Sequence, residues 1–460
     1  MDHWDVIIVG AGSAGCVLAA RLSEDPARRV LLLEAGPDYP ELPEVLLDGL
    51  HGPSWREHDW GLSASVRGRP VATPRGRVVG GSSAVNACFA LRGSPHDYDR
   101  WSLPGWSFAD LLPSFVRLEH DHDFGSAEFH GDAGPIPVSR CLGDQRSRLA
   151  EAATEALVAH GVAAIGDHNA PYAVGVAPLP RNVTGTRRAN SATAYLDPAR
   201  ERENLVVRGD SLVHHVVIDS GRAVGVVLED GSTADADRVI VATGAYASPG
   251  LLRRSGLDLP GIGQNLIDHP AVSVDLPYHG PTPDLPQYQL VATLHSSQAD
   301  PATDPPDLQV LAVGPFPAED GSGAGFALAA ALLKPRSRGS VGEHIDLNYF
   351  DEADDMRRML EGLDHVLALV DHPAIRDLTL GATPSVPDNS ERPAWIREQA
   401  WSYHHPVGTC AMGSVVDERC EVYGVAGMSV IDASVMPDIP SANTHLPVTA
   451  IAEHLAATAL

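Results

Sequence analysis

The run Val6-Ile7-Ile8-Val9-Gly10-Ala11-Gly12-Ser13-Ala14-Gly15 places a short apolar strand directly before a G-x-G-x-x-G turn. An Ala-rich stretch of helical spacing follows, about Ala14 to Ser23. Val30 to Leu33 then form a second apolar strand that ends at Glu34. This βαβ order constrains the chain more than any other feature, because the crossover makes the strands parallel and buries them on both faces. Glycines in the turn let backbone approach a ligand closely, and the helix N-terminus attracts a pyrophosphate. The acidic residue after the second strand accepts hydrogen bonds from a ribose. The segment reads as a dinucleotide site, and by itself it does not separate NAD from FAD.

The 460 residues suffice for two or three domains with a large core. A formal net charge of −27 repels phosphate backbones, so neither nucleic acid nor an anionic membrane is an expected partner. No apolar run has the length of a membrane span. Five scattered cysteines, Cys16, Cys88, Cys141, Cys410 and Cys420, form no C-x-x-C pair. They read as reduced thiols of a cytoplasmic protein, without zinc or a disulfide framework. The chain enters its first strand within four residues, which leaves no room for a signal peptide before it.

Helical spacing is clearest at Phe108 to Leu118, Leu149 to His160, Asp351 to Val370 and, closing the chain, Pro447 to Leu460. Apolar alternation broken by turn residues marks a β-meander from Leu205 to Val241, and a second strand-rich region spans 275–345. The expected fold is mixed α/β. A Rossmann-like domain split in sequence (1–140, 180–274 and 401–460) accompanies a substrate domain (141–179 and 275–400) with a mixed or antiparallel sheet.

Three further segments narrow the choice. Gly76 to Asn86 (G-R-V-V-G-G-S-S-A-V-N) stacks glycines and small polar groups. Gly244 to Gly256 (G-A-Y-A-S-P-G-L-L-R-R-S-G) follows a strand and is succeeded by Gly263-Gln264-Asn265-Leu266 and Asp268-His269-Pro270. Tyr403 to Gly413 (Y-H-H-P-V-G-T-C-A-M-G) sets adjacent histidines before a rigid turn. With Leu333 to Gly339 (L-K-P-R-S-R-G), these make the sequence resemble, nearly end to end, the glucose–methanol–choline family of FAD oxidoreductases. One departure is Asp258, where a glycine is usual. The stretch between Pro270 and His404 is also short for the family.

The resemblance implies non-covalent FAD, because Val85 stands where some members attach the flavin through a histidine. It implies that Gly10, Gly12, Ser13, Ala14 and Gly15 hold the dinucleotide, with Glu34 and Ala35 at the ribose. Val79, Gly81 and Ser82 belong to the same cradle, and Asn86, Ala87, Cys88 and Phe89 lie against the isoalloxazine. Val213, Asp432, Ala433, His445 and Val448 complete the set. His405, directly before the P-V-G-T turn, is the implied catalytic base and His445 its partner; His404 turns to packing or solvent. The substrate is a small-molecule alcohol and the electron acceptor is O2 or another carrier.

The chemistry is consistent with the residue types. A neutral imidazole titrates near operating pH and can take a hydroxyl proton while hydride leaves the same carbon. Alternatives are a lyase of the same fold, a flavin-binding protein without catalysis, and an NAD-dependent dehydrogenase. Glu119-His120-Asp121-His122-Asp123 reads as a solvated loop rather than a metal site. In the family that region borders the active-site entrance. Ser248 and Ser255 lack a hydrolase context.

Overall fold

The computed structural model describes residues 3–282, 284–317 and 323–460. β1 (His3–Val9), α1 (Ser13–Leu22) and β2 (Val30–Leu33) form the expected βαβ unit, with β1 and β2 parallel and in register from Val6↔Val30 to Val9↔Leu33. Leu205–Arg208 extends the sheet beyond β2, and Thr233–Val241 lies parallel to β1 on its other side. The meander Val213–Asp219, Arg222–Leu228, Thr233–Val241 is antiparallel, and Met428–Val430 adds a parallel strand at Val239–Val241. The stretches Val6–Val9, Val30–Leu33 and Val239–Val241 are apolar and buried, as interior parallel strands are.

α1 is Ala-rich and almost entirely buried. It packs against the closing helix, His445–Thr458, which starts two residues earlier than its spacing suggests. The pairing places Glu453, fully buried, against the Arg21 guanidinium at 2.8 Å. Loss of Arg21 would leave the buried Glu453 carboxylate without its nearest charge partner.

A second sheet runs in the order Trp401–Ser402, Pro270–Tyr278, Ala324–Leu332, Leu308–Pro317, Tyr288–Leu294, Gly175–Pro178, antiparallel throughout. Side chains alternate across it. Val272, Val274, Leu328 and Ala330 join Met359, Leu363 and Val366 of the helix Ala353–Asp371 in one core. The opposite face, with Ala271, Leu311 and Ala329, meets Phe89 and Tyr403 and faces the first sheet.

The segment at 119–123 departs from the sequence reading. Glu119 and Asp121 are buried, whereas His120 and His122 are exposed. Glu119 pairs with Arg92, and Asp121 and Asp167 pair with Arg140 at 2.9 and 2.7 Å. His130 bridges Glu119 (2.9 Å) and Asp167 (3.0 Å). The three acidic or imidazole groups Glu119, Asp121 and His130 are close enough to share an ion, but two guanidinium groups already neutralise them. No helix among the described residues is long and apolar enough to cross a membrane. All five cysteines are buried and unpaired.

Candidate active site

The two sheets enclose a cavity of about 890 Å³ between them. Its dinucleotide end begins at Gly10, where φ is +99° and an added Cβ would lie 2.6 Å from the Ala242 carbonyl oxygen; only glycine makes this turn without strain. Gly12 caps α1, and no side chain caps the helix, so its first N–H groups are free for an anion. The Glu34 carboxylate accepts from the N–H groups of Ala11 and Gly36, each at 2.9 Å, which fixes it beside the turn. Burial raises its pKa to about 6, against the pull of those N–H groups.

The second glycine segment folds onto the first. The Gly80 N–H donates to the Ala11 carbonyl at 2.8 Å, and a Cβ on Gly81 would sit 2.6 Å from the Gly12 Cα. Gly10, Gly12, Ser13, Ala14, Glu34, Ala35, Gly81, Ser82, Asn86, Ala87 and Phe89 line the cavity, as do Val213, Asp432, Ala433, His445 and Val448. Gly15, Val79 and Cys88 do not. Gly15 sits where helix and turn touch, since a Cβ there would lie 1.9 Å from the Gly10 oxygen. Val79 belongs to the core, its N–H bonded to the Pro37 carbonyl. Cys88 is buried between two lining neighbours, with a left-handed backbone of φ +62°.

His405 reaches the same cavity from the far side. Its N–H donates to Asp268 Oδ1 at 2.7 Å, and Asp268 also receives the hydroxyls of Tyr349 (2.6 Å) and Ser402. That buried carboxylate locks the strand end from which His405 projects. The following turn needs Gly408, with φ +90° and its Cα pressed against the Asn265 backbone.

The ring of His405 makes two contacts. Its Nε2 is 3.0 Å from Asn443 Nδ2, and its Nδ1 is 3.0 Å from His269 Nδ1. An amide nitrogen only donates, so His405 Nε2 accepts and the proton sits on Nδ1, donated to His269. The arrangement selects the neutral tautomer with its lone pair at the cavity. Burial, then the neighbours His269, His404 and Arg75, hold the His405 pKa well below the ordinary histidine value. His269 is pushed down to about 3 by burial and by the Lys334 ammonium.

His445 is not the direct partner of His405. Its Nδ1 faces Ser13 Oγ at 3.3 Å, while its Nε2 is buried without a partner. Thr444 has helical dihedrals, and successive helical residues turn by about 100°. Asn443 and His445 therefore leave the backbone on opposite sides, one towards His405 and the other towards α1. His404 is also placed differently from the expectation. It lines the cavity, because its backbone is left-handed, with φ +69°. His120 and His122 lie outside the cavity wall.

Asn443 and His269 escaped the sequence reading. Asp268-His269 was visible as a motif and Asn443 as part of Asn443-Thr444-His445, but neither shows which ring it meets across the chain.

Residues 4–271 match the N-terminal part of the GMC oxidoreductases and residues 335–452 their C-terminal part. The chain is 36% identical to an uncharacterized GMC-type oxidoreductase from the thcA 5′ region of Rhodococcus erythropolis, covering 100% of this chain and 99% of that protein. It is 35% identical to an oxygen-dependent choline dehydrogenase of Burkholderia cenocepacia, over 99% of this chain and 93% of the other. The crystal structure of a pyridoxine 4-oxidase from Mesorbium loti superposes with a TM-score of 0.88 at 30% identity, covering 99% of both chains.

Proposed function

Given that the chain belongs to the GMC oxidoreductase family, we propose that its cavity holds FAD non-covalently and that it oxidises a primary or secondary alcohol to the carbonyl compound. The residues fit that cofactor. Gly12 has no atom within 4 Å of an added Cβ, so open space lies above the uncapped helix end where a pyrophosphate would rest. Val85, on the cavity wall, offers no nucleophile for attachment. FAD, when bound, supplies the acceptor for a hydride leaving the carbinol carbon.

The chain's own groups supply the rest. His405 Nε2 takes the hydroxyl proton, and Asn443 Nδ2 donates to the same oxygen, holding it against the imidazole. The imidazolium that results keeps its Nδ1–H on His269. The N-terminus of the closing helix, which begins at His445, presents positive potential to the dinucleotide side, where negative charge collects.

The observation that carries this reading is the 3.0 Å contact between His405 and Asn443 in the same cavity that Gly10, Gly12, Ser13 and Ala14 line from the opposite side. The test is anaerobic addition of alcohols to the purified yellow protein. Loss of the 450-nm region absorbance supports it, and readmitted oxygen then separates an oxidase from a dehydrogenase. Absorbance unmoved by every alcohol would shift the reading to a lyase.

A further inference from the structure

An extended chain sends alternate side chains to opposite faces. At 403–405 this rule is broken: Tyr403, His404 and His405 all line the cavity, because His404 has a left-handed backbone. A non-glycine residue in that region carries strain, which persists where the surroundings over-determine it. The strain places the His404 ring edge-on to Trp55, with centroids 5.1 Å apart, and 6.4 Å from Trp401. From Trp401 the edge-on contacts continue to Tyr403 (5.8 Å), from Tyr403 to Phe89 (6.4 Å) and from Phe89 to Tyr288 (5.2 Å). Six rings thus form one continuous wall beside His405, in a chain with only 5% aromatic residues. Facing them, the sheet contributes the small side chains Ser273, Ala327 and Ala329.

The charges of the cavity are distributed unevenly. Its lining carboxylates are Glu34, Glu229 and Asp432. Glu34 is held by the dinucleotide turn. Asp432 is saturated by the Gly244 and Ser434 N–H groups and the Ser248 hydroxyl, and Glu229 is bonded through its N–H to Leu212, beside Val213. No carboxylate among the described residues lines the aromatic end. Arg75, bonded to the His404 carbonyl at 2.9 Å, puts a positive charge on that wall, while the nearby Asp268 carboxylate is buried behind His405 and taken up by the His405 N–H and the Tyr349 and Ser402 hydroxyls. A cation entering there gains ring faces but no counter-ion.

We propose that this chamber selects an uncharged, planar arylmethanol, its ring held edge-on by Trp401, His404 and Trp55 and its CH2OH directed at His405. The proposal rests on the alcohol-oxidising reading above and narrows it to a substrate class that excludes quaternary ammonium alcohols.

The experiment uses the FAD-loaded enzyme. Steady-state kcat/KM is compared for benzyl alcohol, n-hexanol and choline, and the Kd of benzyl methyl ether and of tetramethylammonium is read from perturbation of the flavin spectrum. Benzyl alcohol should exceed hexanol by about 10-fold and choline by more, since edge-on ring contacts favour an aromatic guest beyond its area. The ether should bind, and the ammonium ion should not. Trp401→Ala should weaken ether binding about 10-fold at unchanged FAD content, and Trp401→Phe should restore it. Choline equal to or better than benzyl alcohol, or tighter binding of the ammonium ion, overturns the class. If no alcohol is oxidised, the oxidase reading fails, and the two Kd values still decide the class.

Discussion

His269 Nδ1 lies 3.0 Å from His405 Nδ1, and neither ring is open to solvent. Two neutral imidazoles in this contact share one proton. Asn443 on the other side of His405 decides that His405 donates it and His269 accepts. His269 is therefore a positioning residue, acting through the tautomer it imposes.

Removing that acceptor should show in the chemical step. His269→Leu is expected to slow anaerobic flavin reduction by about 10-fold or more, as a misassigned tautomer does in other imidazole bases. His269→Asn sets an oxygen near the Nδ1 position and should recover most of the rate. Equal rates for the leucine and asparagine variants, with FAD content unchanged, would reduce His269 to packing.

His405→Ala removes the base itself. Stopped-flow flavin reduction by the best alcohol should fall by about 10²-fold or more, with FAD still bound. Asn443→Ala, which leaves the base but removes the second donor to the oxygen, should cost less.

The pH profile follows from the environment of His405. A base works in its neutral form, and burial with three cationic or imidazole neighbours keeps this one neutral to below the usual histidine range. The reduction rate should stay level as pH falls through about 6.5 and decline only below it. An inflection at an ordinary histidine value that vanishes in the His405 variant would contradict this.

Two glycines of one motif should respond oppositely to alanine. Gly12→Ala projects a methyl group into open cavity, so its apoprotein should melt like the wild-type apoprotein while the variant loses FAD on gel filtration. Gly15→Ala meets the Gly10 carbonyl and should fail to accumulate as soluble protein. Retention of full FAD by Gly12→Ala would displace the pyrophosphate from the end of α1.

Stability should peak between two titrations. His168 and His445, each pushed down to about 4 by burial, and His269 and His404, each to about 3, stay neutral in the fold. The unfolded chain takes up those protons below about 6.5, so stability falls as pH drops from there. His130 behaves in the opposite way. Burial opposes its charge, but Asp121, Asp167 and Glu119 outweigh burial and raise it to about 10. Its contribution is complete below about 6.5 and disappears as pH rises through about 10. Calorimetric melting across this range should lose its alkaline decline in His130→Gln.

Local grammar made the first sheet legible. The apolar runs at β1 and β2 bracket a turn whose glycines are adjacent in sequence, so strand, turn and helix are all specified by neighbours. The turn after His405 was legible for the same reason, since Pro406 and Gly408 define it, whereas the choice of His405 over His404 came from the family resemblance. What remained hidden depends on contacts between distant segments. Nothing local indicates that Asn443, rather than His445, turns towards residue 405; that follows from where the closing helix begins. The charges at 119–123 suggested solvent because their neutralising partners, Arg92, His130, Arg140 and Asp167, lie up to several elements away.

Ala327 and Ala329 stand on a strand hydrogen-bonded to neighbours on both sides. Enlarging or trimming the side chains on this rigid tray changes the room beside His405 without disturbing a loop or hinge. An engineer seeking new specificity should therefore start there. Position 404, whose left-handed backbone tolerates few residues other than glycine, asparagine or aspartate, offers little freedom by comparison.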